Sequence, residues 1–172
     1  MTKEIERKFL LNLSQAREFC KTVLAKNADK IFQGYFWEDD KFNEFRVRLS
    51  KTECGVVKAF FTVKDKLNLH TREEQESKLS IEVVKEILLN RCTSFIEKTK
   101  YYFDINGQEL ELQYFDNDLI IIEVEFSNQE QSVQFIPSFE YIKEVTNDEQ
   151  YYCKNLATSI AKEELLKKLN AF

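Results

Sequence analysis

The sequence predicts an α+β fold: a closed, eight-stranded antiparallel β-barrel with a charged interior and helices packed on its outside. Three observations predict it. About eight segments alternate apolar and charged residues with a period of two, as strands with one apolar face do. The charged faces carry like-signed pairs two residues apart: Arg46 and Arg48, Lys64 and Lys66, Glu74 and Glu76, Lys98 and Lys100, Glu109 and Glu111, Glu123 and Glu125. Stripes of helical period fall among these segments and can cover the apolar faces. An open sheet with one wet face accommodates any single pair. The whole set suits it less well, because solvated surfaces mix signs, and because Arg and Glu stand where outer strand faces usually carry Thr, Ser and Lys.

The first segment, EIERKFLLNL from Glu4, places Glu4, Glu6 and Lys8 on one face and Ile5, Arg7 and Phe9 on the other. Ser14 then reads as a helix N-cap, followed by Ala16, Phe19, Cys20, Val23 and Leu24 at helical spacing. Residues 31–37 read as a strand. In KFNEFRVRLS, Phe45, Val47 and Leu49 alternate with Glu44, Arg46 and Arg48. After a turn near Gly55, Phe61 and Val63 alternate with Thr62, Lys64 and Lys66. TREEQESKLS reads as a strand with almost no apolar face. A helix over residues 80–90 carries Ile81, Val84, Ile87 and Leu88. Three further strands, TSFIEKTKYYFDI, QELELQYF and DLIIIEVEFS, turn near Gly107 and Asn117. The last third reads as mostly helical, with Leu156, Ile160, Leu165 and Leu169 on one stripe. With no repeat or linker, residues 1–172 read as one domain.

The 172 residues are 43% hydrophobic and 32% charged, the balance of a soluble globular chain. A net charge of −5 argues against a bulk nucleic-acid or anionic-membrane surface without excluding a local basic pocket. No signal peptide or apolar run near the roughly 18–20 residues of a membrane span is present. The four cysteines are widely spaced without a CxxC pair, and His70 is the single histidine, so a zinc site is disfavoured and reduced, largely buried thiols in the cytoplasm are expected. His70 sits in a polar stretch and is read as exposed. Only three glycines occur, and neither GxxxxGK[ST] nor GxGxxG is among the motifs. Any phosphate must therefore be held by side chains. A cationic wall beside a carboxylate wall suits a polyanion with Mg²⁺ or Mn²⁺, which partners both signs at once.

EIERKFL resembles the ExExK signature of the CYTH family, the triphosphate tunnel metalloenzymes. QGYF from Gln33, FRVRL from Phe45, FTVK from Phe61 and REEQE from Arg72 are similar to family segments in family order. So are IEKTKYYF from Ile96, ELQYF from Glu111, IIEVEF from Ile121 and KEVTNDEQY from Lys143. The resemblance implies an eight-stranded tunnel that binds a small-molecule triphosphate with Mg²⁺ or Mn²⁺. Carried over by position, Glu4, Glu6, Glu123 and Glu125, with Glu111, stand on the metal side. Lys8, Arg46, Arg48, Lys64, Lys98 and Lys100 contact phosphate, with Arg72 in the same lumen beside Glu74 and Glu76. The sequence departs from the family pattern at Lys100 (usually Arg), Gln113 (commonly Asp), Gln150 (usually Arg) and Cys153 (usually Asn).

The resemblance implies an enzyme that hydrolyses a triphosphate, inorganic triphosphate being favoured. Class IV adenylate cyclase, thiamine or nucleoside triphosphatase, and a triphosphate-binding module without turnover are the alternatives. Lys64, with Tyr35 alongside, is the candidate for orienting or deprotonating the attacking water, and Lys98 the second, because neighbouring cations push a lysine pKa down. Lys64 as a plain phosphate clamp is the equal alternative. Tyr35, Phe36, Trp37, Tyr101 and Tyr102 are candidates for an aromatic platform, or for packing. The terminal helix over 159–172 either packs on its own barrel or joins two copies, so the chain is expected as a monomer or homodimer, without membrane or nucleic-acid partners.

Overall fold

A computed structural model gives the fold of residues 2–36, 43–66 and 72–172; the side chains of 2–4, 43, 64–66 and 72–74 are not among those described. The strands are β1 (Thr2–Glu4), β2 (Glu6–Leu11), β3 (Asn27–Phe36), β4 (Asn43–Thr52), β5 (Val57–Lys66) and β6 (Arg72–Lys78), then β7 (Ser94–Ile105), β8 (Gln108–Phe115), β9 (Ile120–Glu125) and β10 (Lys143–Glu144). The helices are α1 (Leu13–Thr22), α2 (Ile81–Asn90), α3 (Gln129–Gln134), α4 (Cys153–Leu156) and α5 (Lys162–Asn170), with a 3₁₀ turn at Glu149–Tyr151.

All ten strands form one antiparallel sheet in the order β1-β6-β5-β4-β3-β7-β8-β9-β2-β10. This corrects the expected closed barrel of eight strands: the order is open, and among the described residues no hydrogen-bonded ladder joins its ends. The physical reason lies in the first eleven residues. They are not one strand but two, because β1 pairs with β6 while β2, one residue later, pairs with β9. The other edge of β2 is occupied at Phe9 and Leu10 by β10, which a sequence pattern of two residues does not announce. Ile5 joins β1, at one end of the order, to β2, next to the other end, and its carbonyl accepts from Phe126 N at 2.8 Å.

The apolar face of the sheet is covered by helices in two places. Phe19 and Ala16 of α1 bury Phe9, Phe103, Leu112 and Ile122. Val84 and Leu88 of α2, with Leu165 and Leu169 of α5, bury Phe32, Val47, Leu49 and Ala59. The terminal helix thus spends its leucine stripe on its own sheet. It is shorter than expected, and the last third is mostly irregular between short helices. The N-cap of α1 is Asn12 rather than Ser14: its side chain accepts from Gln15 N at 2.9 Å while Gln15 Oε1 accepts from Asn12 N at 3.0 Å, the reciprocal capping box. Between β7 and β8 both turn residues, Asn106 and Gly107, have positive φ, as a two-residue hairpin turn requires.

At Gly34 the sheet lies close under α2 and the residues that follow it. A Cβ there would stand 2.7 Å from Leu88 Cδ2 and 2.8 Å from Cys92 Sγ. Gly34→Ala is expected to destabilise the protein by about 1–3 kcal/mol in urea unfolding, by overpacking; an unchanged midpoint would show that α2 shifts without penalty.

The four cysteines are free, but Cys20 and Cys54 are exposed and Cys92 and Cys153 only half-buried, against the expectation of largely buried thiols. Cys20 sits outside the core face of α1 and Cys54 in the β4–β5 turn. Trp37 and His70 lie outside the described residues. Among the described residues, no helix is long and apolar enough to cross a membrane.

Candidate active site

The polar face of the sheet surrounds a cavity of about 260 Å³. The period of two delivers the charges to it: Glu6 and Lys8 from β2, Glu44, Arg46 and Arg48 from β4, Lys98 and Lys100 from β7, Glu111 from β8, Glu123 and Glu125 from β9. Glu76 of β6 and the rings of Tyr35, Tyr102 and Tyr152 complete much of the rest, with Cys153. Five cations face six carboxylates among these lining residues, so the wall is close to neutral and its charges partner one another.

The partnering divides into two groups. At one side Lys8 Nζ donates to Glu123 Oε1 at 2.5 Å and to Glu6 Oε1 at 2.9 Å. Lys100 Nζ is bonded to Glu111. Gln113, fully buried on β8, joins these pairs: its Oε1 accepts from Lys98 Nζ at 2.7 Å, and its Nε2 donates to Glu111 Oε2 at 3.2 Å and to Glu123 Oε2. At the other side Arg48 donates to Glu76 Oε2 at 2.7 Å, and Arg46 donates to Thr62 Oγ1 at 3.2 Å, whose hydroxyl donates to the same Glu76 oxygen at 3.1 Å. Below Arg48, Asp29 accepts from Ser50 Oγ at 2.7 Å and faces the Tyr102 hydroxyl at 3.4 Å.

Burial and these partners set the protonation states. Burial alone would lower the Lys8 and Lys100 pKa values, but the facing carboxylates, Glu123 and Glu6 for Lys8, Glu111 and Glu123 for Lys100, outweigh it and raise both. Burial would raise the Glu123 pKa, yet Lys8, Lys98 and Lys100 hold it far below the usual carboxylate range. Lys98 differs from its neighbours: burial lowers its pKa, Lys100 adds to the lowering, and its closest polar contacts are the neutral Gln113 oxygen and Cys153 Sγ at 3.3 Å. Tyr35 receives a hydrogen bond from Gln33 Nε2 at 2.5 Å, and burial, with Cys153 and Glu44 nearby, raises its pKa well above that of an ordinary phenol. Burial likewise pushes Tyr102 up to about 12.

Of the residues singled out from the sequence, Glu6, Lys8, Tyr35, Arg46, Arg48, Glu76, Lys98, Lys100, Glu111, Glu123 and Glu125 therefore meet in one cavity. The side chains of Glu4, Lys64 and Arg72 lie outside those described; their backbones are in β1, β5 and β6, with Glu4 opposite Arg72 and Lys64 opposite Glu74. Of the aromatic candidates, Tyr102 joins Tyr35 at the cavity, whereas Phe36 stacks with Phe45 and Tyr101 meets Tyr114 edge to face. Gln150 is exposed and does not line the cavity. Sequence reasoning missed Glu44, whose place in the Glu44-Arg46-Arg48 alternation was the available signal. It also missed Tyr152, which comes from an irregular segment and gives none.

The donor set fits a hard divalent cation: carboxylates of neighbouring strands face one another, Glu6 opposite Glu125 and Glu111 opposite Glu123 in the ladder. Among the described residues no three acidic, cysteine or histidine groups gather closely enough to surround an ion, and Lys8, Lys100 and Gln113 hold Glu123 and Glu111.

No protein-family model matches the sequence. The chain is 33% identical to the inorganic triphosphatase of Nitrosomonas europaea over 163 residues, spanning 91% of this chain and 98% of that protein. The crystal structure of an inorganic triphosphatase superposes with a TM-score of 0.62 at 29% identity, over 93% of this chain and 97% of the other. A Hippeastrum protein, a candidate adenylyl cyclase with a dominant triphosphatase activity, shares the fold with a TM-score of 0.62 at 16% identity, over 76% of this chain and 82% of its own. On the extent and identity of the first of these matches, and on a cavity in which the expected charges meet, the chain belongs to the CYTH family.

Proposed function

We propose that this protein is a divalent-metal-dependent triphosphatase that hydrolyses inorganic triphosphate to phosphate and diphosphate. The observation that carries the reading is the cavity in which Lys8, Arg46, Arg48, Lys98 and Lys100 face the carboxylates of Glu6, Glu111, Glu123 and Glu125. The inorganic triphosphatase relative, similar along nearly the whole chain, supports it.

In this reading the phosphate oxygens take the ammonium and guanidinium groups, with Lys64 and Arg72 added by strand position, and Lys8 and Lys100 exchange carboxylate partners for phosphate. Glu6, Glu123 and Glu125, with Glu4 by strand position and Glu111 beside them, would hold Mg²⁺ or Mn²⁺, which supplies charge neutralisation at the phosphoryl oxygens. Lys98, the buried lysine with a lowered pKa, takes a proton from the attacking water. The water oxygen bonds to the terminal phosphorus, the bridging P–O bond breaks and diphosphate leaves. Tyr35 keeps its proton and donates it in a hydrogen bond to a phosphate oxygen or to that water.

The test is product analysis after incubation with inorganic triphosphate, ATP or thiamine triphosphate, each with Mg²⁺ or Mn²⁺. Phosphate release is expected fastest from inorganic triphosphate and abolished by EDTA. Cyclic AMP with pyrophosphate would make the protein a cyclase, and binding without turnover a triphosphate-binding module.

A further inference from the structure

We propose that Lys8 is a latch on the carboxylate side of the cavity: its ammonium withholds Glu6 and Glu123 from a divalent cation until a phosphate oxygen of the substrate draws it away. The inference rests on the triphosphatase reading and deepens it, by making cation and triphosphate bind together. Lys8 stands directly opposite Glu123 in the β2–β9 ladder, and Glu6 is two residues earlier on the same strand face. The ammonium bridges the two carboxylates, 2.5 Å from Glu123 Oε1 and 2.9 Å from Glu6 Oε1. The other Glu123 oxygen is taken by the Gln113 amide. A small divalent cation bonds carboxylate oxygens at roughly 2.1 Å, so on either Oε1 it would stand within about 5 Å of the Lys8 ammonium. Two like charges so placed in a buried site repel strongly, and one of them must leave.

Neither exchange is favourable alone. A cation that displaced Lys8 unaided would strand an ammonium that is 8% exposed, with Lys98 and Lys100 grouped around the same Glu123. A triphosphate that drew Lys8 away unaided would leave Glu6 and Glu123 unpaired beside an anion. Made together, the exchanges keep every charge partnered: phosphate takes the ammonium, and the cation takes the carboxylates. The backbone need not move. Lys8 N donates to Thr146 Oγ1 at 3.1 Å and Lys8 O accepts from Val145 N at 2.8 Å, so the strand is pinned while the four-carbon stem turns within the cavity that it lines.

The test uses the full isotope-labelled chain, Mg²⁺, and an imido-bridged triphosphate that cannot be hydrolysed. Lysine-selective NMR reads the coupling across the hydrogen bond from Lys8 Nζ to the Glu123 carboxylate carbon. That correlation is expected in the protein alone and with Mg²⁺ alone, and its loss is expected when Mg²⁺ and the analogue are bound together. Absence from the protein alone, loss with Mg²⁺ alone, or persistence with both bound overturns the latch and leaves the triphosphatase reading standing. No analogue bound in the presence of Mg²⁺ overturns that reading, and the latch with it. Titration with Mn²⁺ in the absence of triphosphate, followed by electron paramagnetic resonance, gives a second measure. Lys8→Met is expected to bind Mn²⁺ at least about tenfold more tightly than the wild type. Lys98→Met, which removes a similarly buried cation that Gln113 separates from Glu123, is expected to bind it as weakly as the wild type. Equal gains in the two variants, or no gain in a folded Lys8→Met, overturn the latch.

Discussion

Lys98→Met is expected to lower kcat for phosphate release from inorganic triphosphate by about 10²–10⁴-fold, the range of a lost general base, while the protein stays folded. Methionine nearly matches the length of the side chain and removes an ammonium that burial already disfavours, so the core loses a desolvation penalty along with a charge. The remaining cost is the Gln113 oxygen left without its donor, about 1–3 kcal/mol. KM changes less than kcat, since Lys8, Arg46, Arg48 and Lys100 remain to hold phosphate. The pH profile separates a base from a clamp. A base works unprotonated, so wild-type kcat rises with pH through the lowered Lys98 pKa and levels off above it. In Lys98→Arg the cation persists and that rise disappears. Full kcat with an unchanged profile in Lys98→Arg would assign the water to another group, with Lys64 on β5 next in line.

Glu123→Ala is expected to cost about 3–5 kcal/mol in urea unfolding, because it leaves buried cations without their counter-charge. Lys8 is 8% exposed and its shortest ion pair is to Glu123; Lys98 and Lys100 also draw on that carboxylate. Glu123→Leu combined with Lys8→Met removes both charges and recovers most of the loss, which distinguishes an ion pair from mere volume. The pH dependence has two limbs. The Glu123 pKa is depressed on folding, so its contribution is complete above the unfolded value of about 4.3 and is lost as pH falls through the folded value. The Lys8 pKa is raised, so its contribution is complete below an unfolded value of about 10.4 and is lost as pH rises through the folded one. A wild-type advantage that failed to narrow on acidification would show that Glu123 stabilises by packing and not by charge.

The pattern of twos carried most of the site. It placed Arg46, Arg48, Lys98, Lys100, Glu123 and Glu125 on one face of their strands, and it made the opposite face apolar for α1, α2 and α5 to cover. Helix α2 was legible to within one residue because Ile81, Val84 and Leu88 share a stripe, and Ser80, read as its first residue, is its N-cap. Sheet closure was not legible, because alternation says which way a side chain points and nothing about which strand lies alongside. The exchange of partners at Ile5 and the two-residue β10 are tertiary choices made by distant segments. The hub at Gln113 was hidden for a related reason. One amide in ELQYF reads as a lost carboxylate, while its function in the cavity depends on three side chains from β7, β8 and β9 meeting it.

The partner exchange at Ile5 makes the N-terminal segment a covalent tether between β6 and β9. Glu4 and Glu6 are two residues apart in the chain, yet one is anchored to β6 and the other to β9, strands at opposite reaches of the sheet order. Any breathing of the sheet that moves β6 relative to β9 is taken up at a single backbone pivot. Two residues of chain span at most about 7 Å, so the backbone itself holds the Glu4 and Glu6 positions, and with them β6 and β9, close together.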